Sequence, residues 1–167
     1  INQLQSNIYW SQRSNNITIP TDCPTREKAG WTGDVVVYGA TALYNQNMTA
    51  FYEDWLRSIR LDQLENGYVL GTVPQIRNYV QQGDTGSLGW GDVILTLPLQ
   101  LYQLYGDKEV LQANYEAMEE WMQSMERAAH ELPSEAVPYG GSQTEQNCDE
   151  RSLENQRYLI NTGFHFG

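Results

Sequence analysis

The segment Thr21–Asp34, TDCPTREKAGWTGD, gathers three carboxylates (Asp22, Glu27, Asp34), two cations (Arg26, Lys28) and the indole of Trp31. Paired carboxylates beside an aromatic ring are the ingredients of glycoside hydrolysis: one protonated carboxyl gives its proton to the leaving oxygen, and a second activates water or attacks. A carboxyl near an indole or near other carboxylates holds its proton towards neutral pH, whereas a neighbouring Arg26 or Lys28 acts the other way. A plainer reading stands beside this one, with Asp34 a helix cap and Arg26–Glu27 a surface ion pair.

Pro20, Pro24, Gly30 and Gly33 make the segment a loop, and loops on a rigid scaffold are where binding and catalytic groups tend to sit. The elements that must hold it are helical. Leu4, Ile8 and Ser11 predict a partly exposed helix over residues 2–14, ended by Asn15-Asn16. Asp34 is placed to cap a second helix, with Val36, Ala40 and Leu43 on its inner face. A third runs from Thr49 to about Leu64, with Tyr52, Trp55, Leu56 and Ile59 buried and Asn66-Gly67 as its stop. Residues 67–88 look like a long connection, a feature often tied to function. Trp90 to Tyr105 alternates like a strand, yet its length favours a buried helix bent at Pro98. Asp107 caps the clearest helix, with Leu111, Tyr115, Met118, Met122, Met125 and Ala129 as its expected core stripe. Residues 133–149 read as a polar loop, and Ser152 to about Ile160 as the start of a sixth helix. Five or six helices and no firm strand define an all-α fold without a regular repeat.

Composition removes several functions. With 40% hydrophobic and 19% charged residues the chain is globular rather than disordered. A formal charge of −11 and no basic stripe exclude a nucleic-acid backbone as partner. No apolar run reaches the roughly 20 residues of a membrane span. Eleven Tyr, five Trp and three Phe supply flat surfaces for a core or for sugar rings. Cys23 and Cys148 are too few for a disulfide framework and read as reduced and unpaired, Cys23 as a buried structural thiol. His130 reads as a helix-end cation. His165 lacks a second ligand at metal spacing, so no metal and no cofactor are expected. The Asn16-Ile17-Thr18 and Asn47-Met48-Thr49 sequons are patterns that chance also produces.

Asp22-Cys23-Pro24-Thr25-Arg26-Glu27 followed by Gly30-Trp31-Thr32-Gly33-Asp34 resembles the signature of bacterial α-L-rhamnosidases of glycoside hydrolase family 78. Gly89-Trp90-Gly91-Asp92 resembles a second segment of those enzymes. The resemblance implies an (α/α)6 barrel and hydrolysis of terminal α-L-rhamnosyl residues with inversion, on rhamnosylated glycosides or polysaccharides. By motif position Glu27 is then the general acid. Asp22 and Asp34 hold rhamnose hydroxyls, and Arg26 shapes the same pocket. Trp31 walls the apolar face of the sugar, and Trp90 and Asp92 line the pocket. The loop is one residue shorter than in many members, which carry a further acidic residue between the Arg and the Glu.

A complete barrel needs twelve helices, so residues 1–167 are expected to form the N-terminal part of a barrel domain. The family's general base would lie beyond Gly167, and Asp149-Glu150 reads as a solvated pair. Inner helices such as Val93 to Leu104 would be left uncovered, which suggests self-association or a longer chain. Two alternatives remain: a different (α/α)6 glycosidase, and a non-catalytic carbohydrate-binding helical domain. The compartment, bacterial cytoplasmic or secreted, stays open.

Overall fold

The computed structural model describes residues 1–76 and 88–130. These form five helices: α1 (Asn2–Asn15), α2 (Thr32–Asn45), α3 (Thr49–Asp62), α4 (Val93–Tyr105) and α5 (Lys108–His130). Among the described residues there is no strand, only the isolated bridges Asn16–Pro20 and Trp31–Thr72. The expected sixth helix, Cys148, Asp149-Glu150 and His165 lie outside the described residues.

The core sits where α4 packs against α2 and α5, with α3 touching both α4 and α5. The two apolar helices, α2 and α4, run side by side in the same direction, because their corresponding ends meet. At the N-terminal ends the ring of Trp90 lies against Gly33. At the C-terminal ends the Tyr105 hydroxyl donates to the carbonyls of Leu43 (2.6 Å) and Gln46 (3.0 Å), which α2 leaves open. Gly106 closes α4 in the left-handed conformation (φ 72°) that favours glycine.

Several expectations hold. Tyr52, Trp55, Leu56 and Ile59 are the buried face of α3. Residues 93–105 are helical with Pro98 inside, and Val93, Ile94, Leu97, Pro98 and Leu101 are buried at helical spacing. Asp107 caps α5 by accepting from the amides of Glu109 (2.9 Å) and Val110 (3.2 Å).

Others are corrected. Helix α2 begins at Thr32, so Asp34 stands in its first turn and not at the cap. Its buried face is Thr32, Val35, Gly39, Ala42 and Leu43, with Val36 and Ala40 only half-buried. The buried face of α5 is Val110, Asn114, Ala117, Trp121, Ser124 and Met125. Met125 is buried and Leu111 and Met118 pack against the core as expected, whereas Tyr115 (65% exposed) and Met122 (55% exposed) point outward. The polar members of that face are buried at little cost because they bond locally. Asn114 donates to Val110 O (2.7 Å) and Ser124 to Trp121 O (2.7 Å). Helix α3 ends at Asp62, and Gly67 (φ +85°) instead serves a tight turn packed on α5. Residues 69–73, expected as part of a long loop, are core: Val69, Leu70, Thr72 and Val73 are all buried.

Candidate active site

Both motif loops precede the N-terminus of an apolar helix, so the parallel run of α2 and α4 brings them to one end of the molecule. The buried segment 70–73 fixes the first of them. Thr32 N–H donates to Gly71 O (2.9 Å), its hydroxyl reaches Leu70 O (3.1 Å) and Gly71 O (3.0 Å), and Val73 N–H donates to Gly30 O (2.9 Å). The Trp55 indole donates to Val73 O (3.0 Å), which ties this seam to α3. Glycine is required at Gly30, since a Cβ there would collide with the Val73 carbonyl.

Within the loop, Asp22 closes a turn on itself. Its Oδ1 accepts from Ala29 N–H (3.0 Å), and its own N–H donates to Ala29 O (3.0 Å). Glu27 is held on both oxygens: Trp31 Nε1 donates to Oε2 (2.8 Å), and Arg26 pairs with Oε1. The Glu27 side chain is 19% exposed and that of Arg26 83%, so the carboxyl is sheltered and its cation lies in solvent. The hydrogen bond and charge of Glu27 raise the Arg26 guanidinium above its ordinary value. Glu27 N–H donates to Cys23 Sγ (3.2 Å); the thiol is free and half-buried, where a fully buried one was expected.

Asp34 is the electrostatically burdened carboxyl. Although the residue is open to the cavity, partial desolvation raises its pKa, followed by the charge of Asp22. A hydrogen bond with its own backbone opposes the shift, and the charge of Glu27 adds to it. Asp34 therefore feels the charges of both Asp22 and Glu27.

A cavity of about 1000 Å³ opens at this cluster. Asp22, Gly33, Asp34 and Trp90 line its acidic end, Val35 to Tyr38 of α2 form an apolar wall, and Asn7, Ser11 and Asn15 of α1 face it. Glu27, Arg26, Trp31 and Asp92 are not among its lining residues. Trp90 owes its place to Gly33, because a Cβ at that position would stand 2.6 Å from the indole ring. Asp92 faces the core: its Oδ1 accepts from Trp121 Nε1 (3.1 Å), and Gly91 lies against the same ring. The sequence reading missed the α1 residues. Their signal was a helix with polar groups at positions four apart and few apolar ones. Among the described residues no group of three or more His, Cys, Asp or Glu is placed to hold a metal. No helix there is long and apolar enough to cross a membrane.

Apolar parallel helices thus present an acidic, indole-bearing loop at one end of the described fold. Residues 1–166 match the bacterial alpha-L-rhamnosidase 6 hairpin glycosidase domain, and the chain belongs to that family. It is 42% identical over 123 residues to an α-L-rhamnosidase of Formosa agariphila, covering 73% of this chain and 13% of that protein. Among solved structures it is similar to the Streptomyces avermitilis α-L-rhamnosidase complexed with L-rhamnose. That match has 38% identity and a TM-score of 0.70, and covers 76% of this chain and 12% of the other. The Dictyoglumus thermophilum α-L-rhamnosidase gives 34% identity and a TM-score of 0.71, over 83% of this chain and 15% of that one. The chain thus spans 12–15% of the length of these relatives. The all-α expectation holds, and the five helices are part of an (α/α)6 barrel.

Proposed function

We infer that the protein hydrolyses terminal non-reducing α-L-rhamnose residues from glycosides or polysaccharides, with inversion at the anomeric carbon. In this reading residues 1–167 are the N-terminal part of the catalytic barrel. Asp22 and Asp34 accept hydrogen bonds from rhamnose hydroxyls, and the indoles of Trp31 and Trp90 cover its carbon-bound hydrogens and methyl group. Asp92 supports this wall from behind through Trp121. Glu27 is the general acid. As the bond between the anomeric carbon and the glycosidic oxygen breaks, its proton passes to that oxygen. Water attacks the opposite face of the sugar and gives its proton to a carboxylate outside this chain, roughly 6.5–9.5 Å away. Arg26, paired with Glu27, shapes the same pocket.

The observation that carries the reading is the sheltered Glu27 carboxyl, fixed by the Trp31 indole within electrostatic reach of Asp34. The test is release of p-nitrophenol from its α-L-rhamnoside by the complete protein, set against the corresponding glucoside and mannoside. Selective cleavage of the rhamnoside, with β-L-rhamnose as the first product by NMR, is the expected result. Release of the α anomer would exclude inversion, and cleavage of another sugar alone would reassign the pocket.

A further inference from the structure

We propose that Tyr9, Trp10 and Arg13 form a surface binding site for an acidic sugar of a polysaccharide, apart from the cavity and independent of the rhamnosidase reading. The indole of Trp10 lies under the C–H face of the sugar ring. The Arg13 guanidinium takes its anionic substituent, a carboxylate or a sulfate.

The three side chains form one assembly. The Tyr9 and Trp10 rings meet edge to face, with 5.8 Å between centroids and 86° between planes. Arg13 lies over both, 5.8 Å from the Tyr9 centroid and 5.4 Å from that of Trp10, and its Nη1 donates to the Tyr9 hydroxyl (3.4 Å). An arginine already seated on two rings loses less freedom on gripping an anion than one loose in solvent. Yet Trp10 stays 62% exposed, whereas Trp55 (1%) and Trp121 (0%) belong to the core. An open indole beside an oriented cation is a platform rather than packing.

Charge selects the ligand. The protein carries a net −11, but Arg13 is the only charged side chain in residues 1–21, and the first carboxylate is Asp22. Arg13 makes no ion pair among the described residues. Its donors beyond the tyrosine bond therefore remain for an external anion, and the planar guanidinium matches two oxygens of one anionic group.

The make-up of the helix face separates a sugar from a protein partner. Ser6, Tyr9, Trp10 and Arg13 stand three, four and seven residues apart and share one face of α1. That face carries rings, a guanidinium and a hydroxyl, and none of the four residues lines the cavity. The aliphatic Leu4 and Ile8 fall on the other side, with Asn7, Ser11 and Asn15 of the cavity wall. A face made to bury against another protein carries an aliphatic stripe, whereas a ring edged by hydrogen-bonding groups suits a pyranose. The platform and the cavity wall lie across one helix diameter, about 10–12 Å.

The test is calorimetric titration of the complete protein with rhamnose-free oligosaccharides of equal length: an oligogalacturonate, a sulfated galactan and a neutral galactan. An acidic oligomer should bind about tenfold more tightly than the neutral one, and which of the two acidic ones binds names the anionic group. Trp10→Ala and Arg13→Gln should each weaken that binding about tenfold. Both variants should keep the wild-type kcat/KM on p-nitrophenyl α-L-rhamnoside and, because both residues are exposed, the wild-type melting temperature. Absence of binding by the wild type, equal affinity in the variants or preference for the neutral oligomer would each overturn the proposal. So would a Trp10→Phe variant that loses no acrylamide-quenchable fluorescence, since the platform would then be covered by another part of the protein. The ligands contain no rhamnose, so failure here leaves the rhamnosidase reading standing, and failure of that reading leaves this site intact.

Discussion

Two short segments share a local grammar and use it in opposite directions. Gly30-Trp31-Thr32-Gly33-Asp34 enters α2, and Gly89-Trp90-Gly91-Asp92 enters α4. In the second, the aspartate accepts the Trp121 indole proton and the glycine lies against the same ring, so both face the core. In the first, Gly33 offers its bare backbone to Trp90, and Asp34 stands with Asp22 in an open cavity, within electrostatic reach of Glu27. Asp92 is thus given a donor, whereas Asp34 is given like-charged neighbours, an arrangement that costs stability. The indoles divide in the same way: Trp121 serves a structural aspartate, and Trp31 serves Glu27.

The sharpest way to test this division is to remove function from one loop and stability from the other. Glu27→Gln should lower turnover of a rhamnoside with a poor leaving group by roughly 10²–10⁴. The fall should be smaller for p-nitrophenol, which departs with less protonation, and the melting temperature should move little. Normal hydrolysis of natural rhamnosides by this variant would remove Glu27 from its role. Trp121→Phe should do the reverse, leaving Asp92 without its donor and lowering unfolding free energy by about 1–3 kcal/mol. Urea denaturation reads that loss, and an unaltered midpoint would mean that the Asp92–Trp121 bond fastens nothing. Between them stands Gly33→Ala. The added methyl forces Trp90 off its seat, and loss of one stacking surface, about 0.5–1.5 kcal/mol, should raise KM a few-fold.

The sequence showed best those parts in which burial follows hydrophobicity. Tyr52, Trp55, Leu56 and Ile59 announce the inner face of α3, and the Asp107 cap is readable because its oxygen answers open amides. The inner face of α5 was read only in part, through Leu111, Met118 and Met125, because large apolar side chains outweigh small and polar ones in any periodicity argument. The real face holds Asn114, Ala117 and Ser124, which pack closely and bond to their own helix. Gln12 was invisible for the same reason: its burial depends on partners dozens of residues away, on α2. The acidic loop was legible as a cluster of residue types, but its support was not. Thr32 meets Gly71, and Val73 meets Gly30, through backbone pairing and the Thr32 hydroxyl, contacts that leave no periodic mark in the sequence.

The smallest effect separates the two aspartates by sign. The folded-state pKa of Asp34 lies above its ordinary 3.8, chiefly from desolvation and then from Asp22. A raised acid binds its proton more tightly in the folded chain than in the unfolded one. Its favourable contribution is therefore complete below 3.8 and is lost as pH rises through the folded value. Asp34→Asn removes that penalty, so the variant should be the more stable at neutral pH, and its advantage should shrink as pH falls towards 3.8. Because Asp34 is open to the cavity, solvent screening keeps the gain under about 1 kcal/mol. Asp92→Asn weakens a charge-assisted bond to Trp121 and should shift stability the other way. Paired melts of the two variants across pH decide the matter. Two shifts of the same sign would mean that the loops do not divide structure from function, whereas opposite signs would show a stability cost borne at the Asp22–Asp34 loop alone.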